Sequence, residues 1–437
     1  MNSNISSSFQ IKPGGVISGR IIVPGDKSIS HRALMLGAIA EGNTTITGFL
    51  QGEDTLATAK VLRQMGVKIE NDGKLVRING VGLNGLNESN ISLDLGNSGT
   101  SVRLMIGLLA GQIFDSELIG DKSLMKRPML RVVNPLRDMN AEISCSDKGT
   151  LPINIIGGCK LHGIEYELPV ASAQLKSCLL LAGLYAEGVT TIIEHQATRD
   201  HTERMLSAFS HPITRDQNRI SICKADRLIG TDINIPADFS SASFFIVAAT
   251  IAPGSDIVLE NVGINPTRDA MLKIMELMGA DIELENKREQ SGEPFADIHI
   301  KSSELCGINI PKELVPIAID EFPIIMIAAS CAKGETRLSG AAELRVKESD
   351  RIQSMLDGFI ATGIRAEDTE DGMVIQESKF NGGVVNSHGD HRIAMAFAIA
   401  GLVSKETIVI NDCENVATSF PGFVELAQKV GMKITYV

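Results

Sequence analysis

A chain of 437 residues is longer than one core usually serves, so two or three domains are expected, filled by 43% hydrophobic and 22% charged residues. Lys and Arg number 41 against 53 Asp and Glu, a net charge of −12 that argues against nucleic acid or an anionic membrane surface as partner. Aromatic residues are only 4% with no Trp, so an aliphatic core is expected and the stacking platforms of a single-strand binder are missing.

The seven cysteines are scattered, odd in number and never spaced C-x-x-C, which predicts neither a disulfide framework nor structural zinc and suits a reducing compartment. Residues 1–8 have neither the basic start nor the apolar run of a signal peptide, and the longest apolar stretch, Ile393 to Val403, is too short for a membrane span. A cytoplasmic protein is expected.

In chain order, the first informative stretch is Gly25-Asp-Lys-Ser-Ile-Ser-His-Arg32. It runs into an apolar, small-residue segment that predicts a helix buried on nearly every side, with Ser28 and Ser30 as candidate N-caps and Gly42 as a closing C′ glycine. A buried helix start gathers unpaired amides and the positive end of its dipole, and Lys27 and Arg32 add full charges, so an anion site is expected there.

The same apolar helix pattern returns five more times. Aligned at Ala40, Ala110, Ala186, Ala252, Ala332 and Val403, the copies lie 70, 76, 66, 80 and 71 residues apart. Each is followed by a strand-like segment and an amphipathic helix, with a closing pattern such as Leu62-Arg-Gln-Met-Gly-Val-Lys-Ile69 or Leu136-Arg-Asp-Met-Asn-Ala-Glu-Ile143. The third and fifth copies are weaker. Six α/β modules make two domains of three, with the cut near Ile233-Asn-Ile-Pro236.

What precedes each apolar helix carries the chemistry. After the first stretch come Asn97-Ser-Gly-Thr-Ser-Val-Arg103, Ser172-Ala-Gln-Leu-Lys176, Asp238-Phe-Ser-Ser-Ala242, Ile319-Asp-Glu-Phe-Pro323 and His388-Gly-Asp-His-Arg392. If the helices run parallel within each domain, these ends form one face per domain, and the two faces enclose an anion-attracting cleft. Two further basic clusters are Lys122-Ser-Leu-Met-Lys-Arg-Pro128 and Leu344-Arg-Val-Lys-Glu-Ser-Asp-Arg351, the second predicted to set Lys347 and Arg351 on one helix face beside Glu348, a candidate proton-transfer residue. His388 and His391 lack an evident third ligand, so no metal is expected. Neither a P-loop nor a G-x-G-x-x-G stands after a strand.

Taken in order and essentially end to end, these motifs resemble the 5-enolpyruvylshikimate-3-phosphate synthases (3-phosphoshikimate 1-carboxyvinyltransferases). The resemblance implies an α/β fold of two domains, each of three βαβαββ repeats with buried parallel helices, an enolpyruvyl transferase-like inside-out α/β barrel with two chain crossings. It implies a discontinuous domain of residues 1–20 and 236–437 on the phosphoenolpyruvate side, with the catalytic carboxylates. A continuous domain of residues 21–235 would lie on the shikimate 3-phosphate side, with the active site in the cleft between the two.

The implied reaction transfers the enolpyruvyl group of phosphoenolpyruvate to the 5-hydroxyl of shikimate 3-phosphate and releases phosphate, in the shikimate pathway to chorismate and aromatic amino acids. It uses no cofactor and no metal, and a monomer acting on small anionic substrates is expected. By similarity, Lys27, Ser28, Arg32, Ser172, Gln174, Arg199, Asp320 and Lys347 hold shikimate 3-phosphate. Lys27, Asn97, Gly99, Arg103, Arg127, Gln174, Arg351 and Arg392 hold phosphoenolpyruvate, and Asp320, Glu348, Lys27 and Lys347 are the catalytic set. Gly99 resembles the position where a methyl group narrows the space for glyphosate, so inhibition by glyphosate is expected.

Three departures, Ala173 after Ser172, the run Thr198-Arg-Asp-His201 in place of a tyrosine region, and Ser419 in place of a lysine, resemble the more divergent bacterial branch. Two alternatives compete. A UDP-N-acetylglucosamine 1-carboxyvinyltransferase would carry a cysteine between Gly120 and Pro128, where none stands; a non-catalytic six-repeat scaffold gives no reason for the Lys-Glu and Asp-His-Arg motifs.

Overall fold

The computed structural model describes residues 8–437; residues 1–7, read above as lacking a leader, lie outside the described residues. The six apolar segments all form helices: Lys27–Ile39, Gly99–Ala110, Ala173–Gly183, Phe239–Ile251, Phe322–Cys331 and His391–Ala400. They are buried around their circumference, as in Phe239–Ile251, where every residue from Phe239 to Thr250 is inside. Small residues make this possible by letting backbones approach. A Cβ on Gly107 would stand 2.2 Å from the Cys178 carbonyl oxygen, so the Gly99 and Ala173 helices meet there backbone to backbone.

Around each central helix the chain builds one small sheet by the same rule. An opening strand runs parallel to the strand that follows the helix, and a hairpin then adds antiparallel. In the second module Leu93–Asp94 pairs parallel with Ser116–Ile119, which Ile153–Ile156 joins antiparallel, with Glu142–Cys145 at the edge. The fifth sheet has three strands, and its parallel partner is reduced to the isolated bridges Cys306↔Lys333 and Asn309↔Arg337. The outer helices and closing strands that were weak in sequence are formed: helix His201–Ala208 leads to strand Thr214–Asp216, and helix Arg351–Thr362 leads to Ala366–Thr369.

The repeated closing pattern has a local cause. In the second position of the pattern, Arg63 donates two hydrogen bonds to the Ile69 carbonyl (3.0 and 2.9 Å), and Arg137 does the same to Ile143 (3.0 and 2.7 Å). Gln428 donates one to Ile434 at 2.7 Å. Each side chain ties the end of an outer helix to the strand it feeds.

Three strands are borrowed from distant sequence. Asp232–Asn234 opens the first module beside Glu41–Thr47, Ser18–Ile21 opens the fourth beside Asp256–Gly263, and Phe9–Lys12 closes the sixth between Ile408–Asn411 and Lys433–Tyr436. The chain accordingly divides into two compact units, one of residues up to Pro24 with Pro236–Arg288 and Pro294–Val437, the other of Gly25–Ile235 with Glu289–Glu293. Each has its own hydrophobic core.

The expected aliphatic core holds for only one unit. In the continuous unit Phe49 and Phe209 are the phenylalanines of the core, whereas the discontinuous unit collects Phe9, Phe239, Phe244, Phe245, Phe322, Phe359, Phe380, Phe397, Phe420 and Phe423. There the Phe420 and Phe423 rings stand edge to face at 5.4 Å, and Phe359 and Phe397 at 5.8 Å. Among the described residues no helix is long and apolar enough to cross a membrane.

Candidate active site

In both units the first turns of the three central helices meet. This places the motifs of each half on one face, and it shows that the helices run in the same direction.

In the continuous unit the first helix is capped by Asp26, whose Oδ1 accepts from the Ile29 amide at 2.8 Å. The expected caps Ser28 and Ser30 are displaced from that role. Ser30 is buried, donating to the Asp26 carbonyl at 2.7 Å and accepting from the Leu50 amide at 3.1 Å, and Ser28 remains half-buried in the first turn. Gly42 does not end the helix either: Ala40 turns directly into extended backbone, and Gly42 sits inside the next strand with φ +89°. Lys27 forms an ion pair with the buried Asp54.

Arg32 is buried and fully engaged. Its Nε donates to Thr202 Oγ1 (2.7 Å), Nη1 to the Ser28 carbonyl (2.9 Å) and Nη2 to Ser177 Oγ (2.7 Å), which joins the Lys27 and Ala173 helices. Burial brings its pKa down to about 10, with Glu203 and Asp26 opposing the shift and Arg199 adding to it. Lys176, wholly buried, lies 3.0 Å from Glu194 and 2.7 Å from Glu203, and it donates to the Thr198 carbonyl at 3.3 Å, so it anchors the segment leading to Arg199. Ser172 caps its helix by accepting from the Leu175 amide at 3.3 Å.

Two more guanidinium groups stand at the start of the second central helix, Gly99–Ala110. Arg103 donates to Gln174 Oε1 (2.5 Å), and Gln174 in turn donates to Thr100 Oγ1 (3.0 Å). Arg127 donates to Asn97 Oδ1 (2.7 Å), while the Asn97 amide donates to Asp121 (2.8 Å). Gly99 lies between the two arginines: a Cβ there would stand 2.9 Å from Arg127 Nη1 and 3.4 Å from Arg103 Nη1.

His31 ties these helix starts together, with Nδ1 2.8 Å from Thr58 Oγ1 and Nε2 3.3 Å from Ser98 Oγ, the side chain that caps the Gly99 helix. Burial, then the charges of Lys27 and Arg32, hold its pKa well below the usual value. The sign of the consequence is fixed. Below pH 6.5 the unfolded chain takes up a proton that the folded one excludes, so stability present above that pH is lost as pH falls, by up to about 1.4 kcal/mol per unit. Replacing His31 by Gln is expected to flatten this acid limb between pH 6.5 and 5.5 in urea unfolding; equal slopes for the two proteins would refute it.

In the discontinuous unit Arg351 is the centre. It is 1% exposed, and its three nitrogens reach three carboxylates: Nε to Asp390 (2.8 Å), Nη2 to Glu348 (2.6 Å) and Nη1 to Asp320 (3.5 Å). Burial alone would lower its pKa, but Asp390, then Glu348 and Asp320, raise it above the ordinary arginine value. Lys347 Nζ lies 3.4 Å from Asp320 Oδ1.

The expected helix face carrying both Lys347 and Arg351 is not formed. Asp350 caps the helix by accepting from the Gln353 amide at 3.0 Å, the helix begins at Arg351, and Lys347 is in extended backbone before it. Arg345 fixes that segment with bonds to Asp350 (2.9 Å) and the Glu370 carbonyl (2.9 Å). Arg392 donates from Nη1 to the Asp320 carbonyl (2.9 Å) and from Nη2 to Ser240 Oγ (3.1 Å).

His388 is exposed with φ +54°, 3.8 Å from Asp357, and neither it nor His391 belongs to a compact metal-ligating group. Among the described residues such a group is formed by Glu283, Glu285 and His299, on the strands Asp281–Gln290 and Glu293–Lys301.

A model of the family described as EPSP synthase (3-phosphoshikimate 1-carboxyvinyltransferase) matches residues 11–426. The chain belongs to the EPSP synthase family. Among its relatives, a 3-phosphoshikimate 1-carboxyvinyltransferase of Methylococcus capsulatus is 59% identical over 98% of both chains. One of the same name from Nitrosococcus oceani is 57% identical over 99% of this chain and 98% of its own. A solved structure of an EPSP synthase from Acinetobacter baumannii superposes with a TM-score of 0.90 at 53% identity, covering 99% of this chain and 100% of that one. The two-domain inside-out α/β fold expected from the motifs is that of the EPSP synthases. The family is the expected one and neither alternative.

The buried partners of the EPSP synthase motifs were missed by sequence reasoning: Asp54 beneath Lys27, Thr202 and Ser177 around Arg32, and Asp390 behind Arg351. Only Asp390 lay inside a quoted motif. The others come from outer helices or later turns, where a single polar residue carries no local pattern.

Proposed function

We propose that the protein transfers the enolpyruvyl group of phosphoenolpyruvate to the 5-hydroxyl of shikimate 3-phosphate, releasing phosphate, as a cytoplasmic monomer without cofactor or metal. The observation that carries this reading is the paired construction of cationic helix-end faces, each built from motifs in the family's order. The two faces serve one reaction. In the continuous unit Lys27, Ser28, Arg32, Ser172, Gln174 and Arg199 hold shikimate 3-phosphate, and Asn97, Gly99, Arg103 and Arg127 take phosphoenolpyruvate with Lys27 and Gln174. The discontinuous unit supplies Arg351 and Arg392 to phosphoenolpyruvate, and Asp320 and Lys347 to the acceptor. Guanidinium forks match carboxylate and phosphate oxygens in pairs.

The chemistry is addition followed by elimination. The 5-oxygen adds to C2 of phosphoenolpyruvate while its proton passes to Asp320, and C3 gains a proton from the Lys347–Glu348 side, with Lys27 beside both substrates. Loss of a proton from C3 then expels phosphate and restores the carbon–carbon double bond. An acid and a base facing opposite parts of one adduct are what these steps require, and the guanidinium groups stabilise its charge. Asp320 and Glu348 are suited to this by sharing Arg351, which holds both carboxylates from one buried group.

The test is phosphate release from phosphoenolpyruvate by the purified protein, with EDTA, in the presence of shikimate 3-phosphate or UDP-N-acetylglucosamine. Release only with the former is expected; release only with the latter, or none with either, would overturn the proposal.

The Gly99 geometry adds a sharper expectation. Because a methyl group would meet the mobile end of Arg127 at 2.9 Å, Gly99→Ala should fold normally but push that guanidinium aside. It is expected to raise KM for phosphoenolpyruvate severalfold and the glyphosate inhibition constant by more than tenfold, roughly 1.4 kcal/mol or more. Equal changes in both constants would contradict this account.

A further inference from the structure

We infer that Ser240 is a positioning residue for Arg392 and for the Asp320 segment, a role that rests on the proposed phosphoenolpyruvate contact of Arg392. Ser240 is the second residue of the Phe239–Ile251 helix and is 6% exposed. The cap of this helix is Asp238, whose Oδ1 accepts from the Ser241 amide at 3.0 Å. The Ser240 hydroxyl does something else. It donates to Glu321 Oε1 and accepts from Arg268 Nη2 at 2.5 Å and from Arg392 Nη2 at 3.1 Å. A hydroxyl has one proton and two lone pairs, and all three are used here.

The surroundings explain why this matters. Arg268 is 3% exposed and Glu321 1%, so the hydroxyl lies among charges withdrawn from water. Arg268 lies 3.6 Å from Asp238 and 3.9 Å from Glu321, while Arg392 lies 3.6 Å from Glu321. Two guanidinium groups thus face one carboxylate, and the hydroxyl gives each of them a nearer acceptor. With Nη2 fixed by Ser240 and Nη1 by the Asp320 carbonyl at 2.9 Å, the plane of the Arg392 fork is set from both sides. Without the hydroxyl, both arginines turn toward Glu321, and the fork leaves the orientation in which it grips an anion.

The experiment compares steady-state constants of the wild type, Ser240→Ala and Ser240→Thr. Hydrogen bonds to charged groups imply that Ser240→Ala raises KM for phosphoenolpyruvate roughly 10- to 100-fold, with KM for shikimate 3-phosphate within about threefold. Ser240→Thr, which keeps the hydroxyl, should restore most of the loss. An unchanged phosphoenolpyruvate KM in Ser240→Ala, an equal rise for both substrates, or no rescue by Thr overturns the inference. If Ser240→Ala does not fold, Ser240→Cys, with a thiol in place of the hydroxyl, takes its place under the same criteria. A wild type that releases no phosphate would overturn the proposed function and this inference with it, whereas an active wild type with an unaltered Ser240→Ala overturns the inference alone.

Discussion

Arg351→Met is expected to abolish measurable turnover and to lower stability by about 3–5 kcal/mol, the range found when one member of a buried ion pair is removed. The argument is electrostatic. Arg351 is the cation shared by Asp390, Glu348 and Asp320, and Asp390 is itself 0% exposed, so its charge would be left inside the protein. Glu348→Gln provides the contrast: its side chain is 31% exposed, and its loss should leave urea unfolding nearly unchanged while reducing kcat. Comparing urea midpoints and kcat for the two variants checks both halves of the argument. An Arg351→Met protein as stable as the wild type would show that the three carboxylates do not depend on it.

Asp320→Asn is expected to lower kcat by a factor of about 10²–10⁴, the usual contribution of a positioned general base, with stability altered by less than about 1 kcal/mol. The amide oxygen of Asn can still accept from Lys347 and Arg351, which stand 3.4 and 3.5 Å from Asp320 Oδ1, so the framework survives while the proton acceptor is lost. The neighbouring carboxylate is the natural control. Glu321 is 1% exposed and held by Ser240, so Glu321→Gln should act on stability and on phosphoenolpyruvate KM rather than on proton transfer. A kcat within tenfold of wild type for Asp320→Asn would remove it from the role of base.

The modular fold was legible because its cause is local. A helix surrounded by protein must be apolar on every side and small where backbones touch, and six segments of that kind at similar spacing announce six modules. The helix starts were legible for a related reason, since caps and cations cluster where amides lack partners. What was missed depends on competition and distance. Asp26 rather than Ser28 or Ser30 became the first cap, and Asp350 started its helix one turn after Lys347, because several capping residues stood side by side and packing chose among them. The Ser240 hydroxyl meets residues from the ends of two other helices, a juxtaposition that no sequence window contains. Ten of the 14 phenylalanines gather in one core through tertiary packing alone.

The strand Phe9–Lys12, with its buried Phe9 and Ile11, has both of its neighbours at the opposite end of the chain: Phe9 lies against Ile410 and Tyr436, and Ile11 against Ile408 and Ile434. During synthesis the segment 25–235 can assemble its three modules from residues already made. The strand Phe9–Lys12 must wait for partners made much later in the chain, leaving the sixth sheet open until residues 408–436 have been made. A lesion in residues 9–12 would therefore behave as a C-terminal truncation of the discontinuous unit, releasing residues 433–436 from their sheet while sparing the modules of the continuous one.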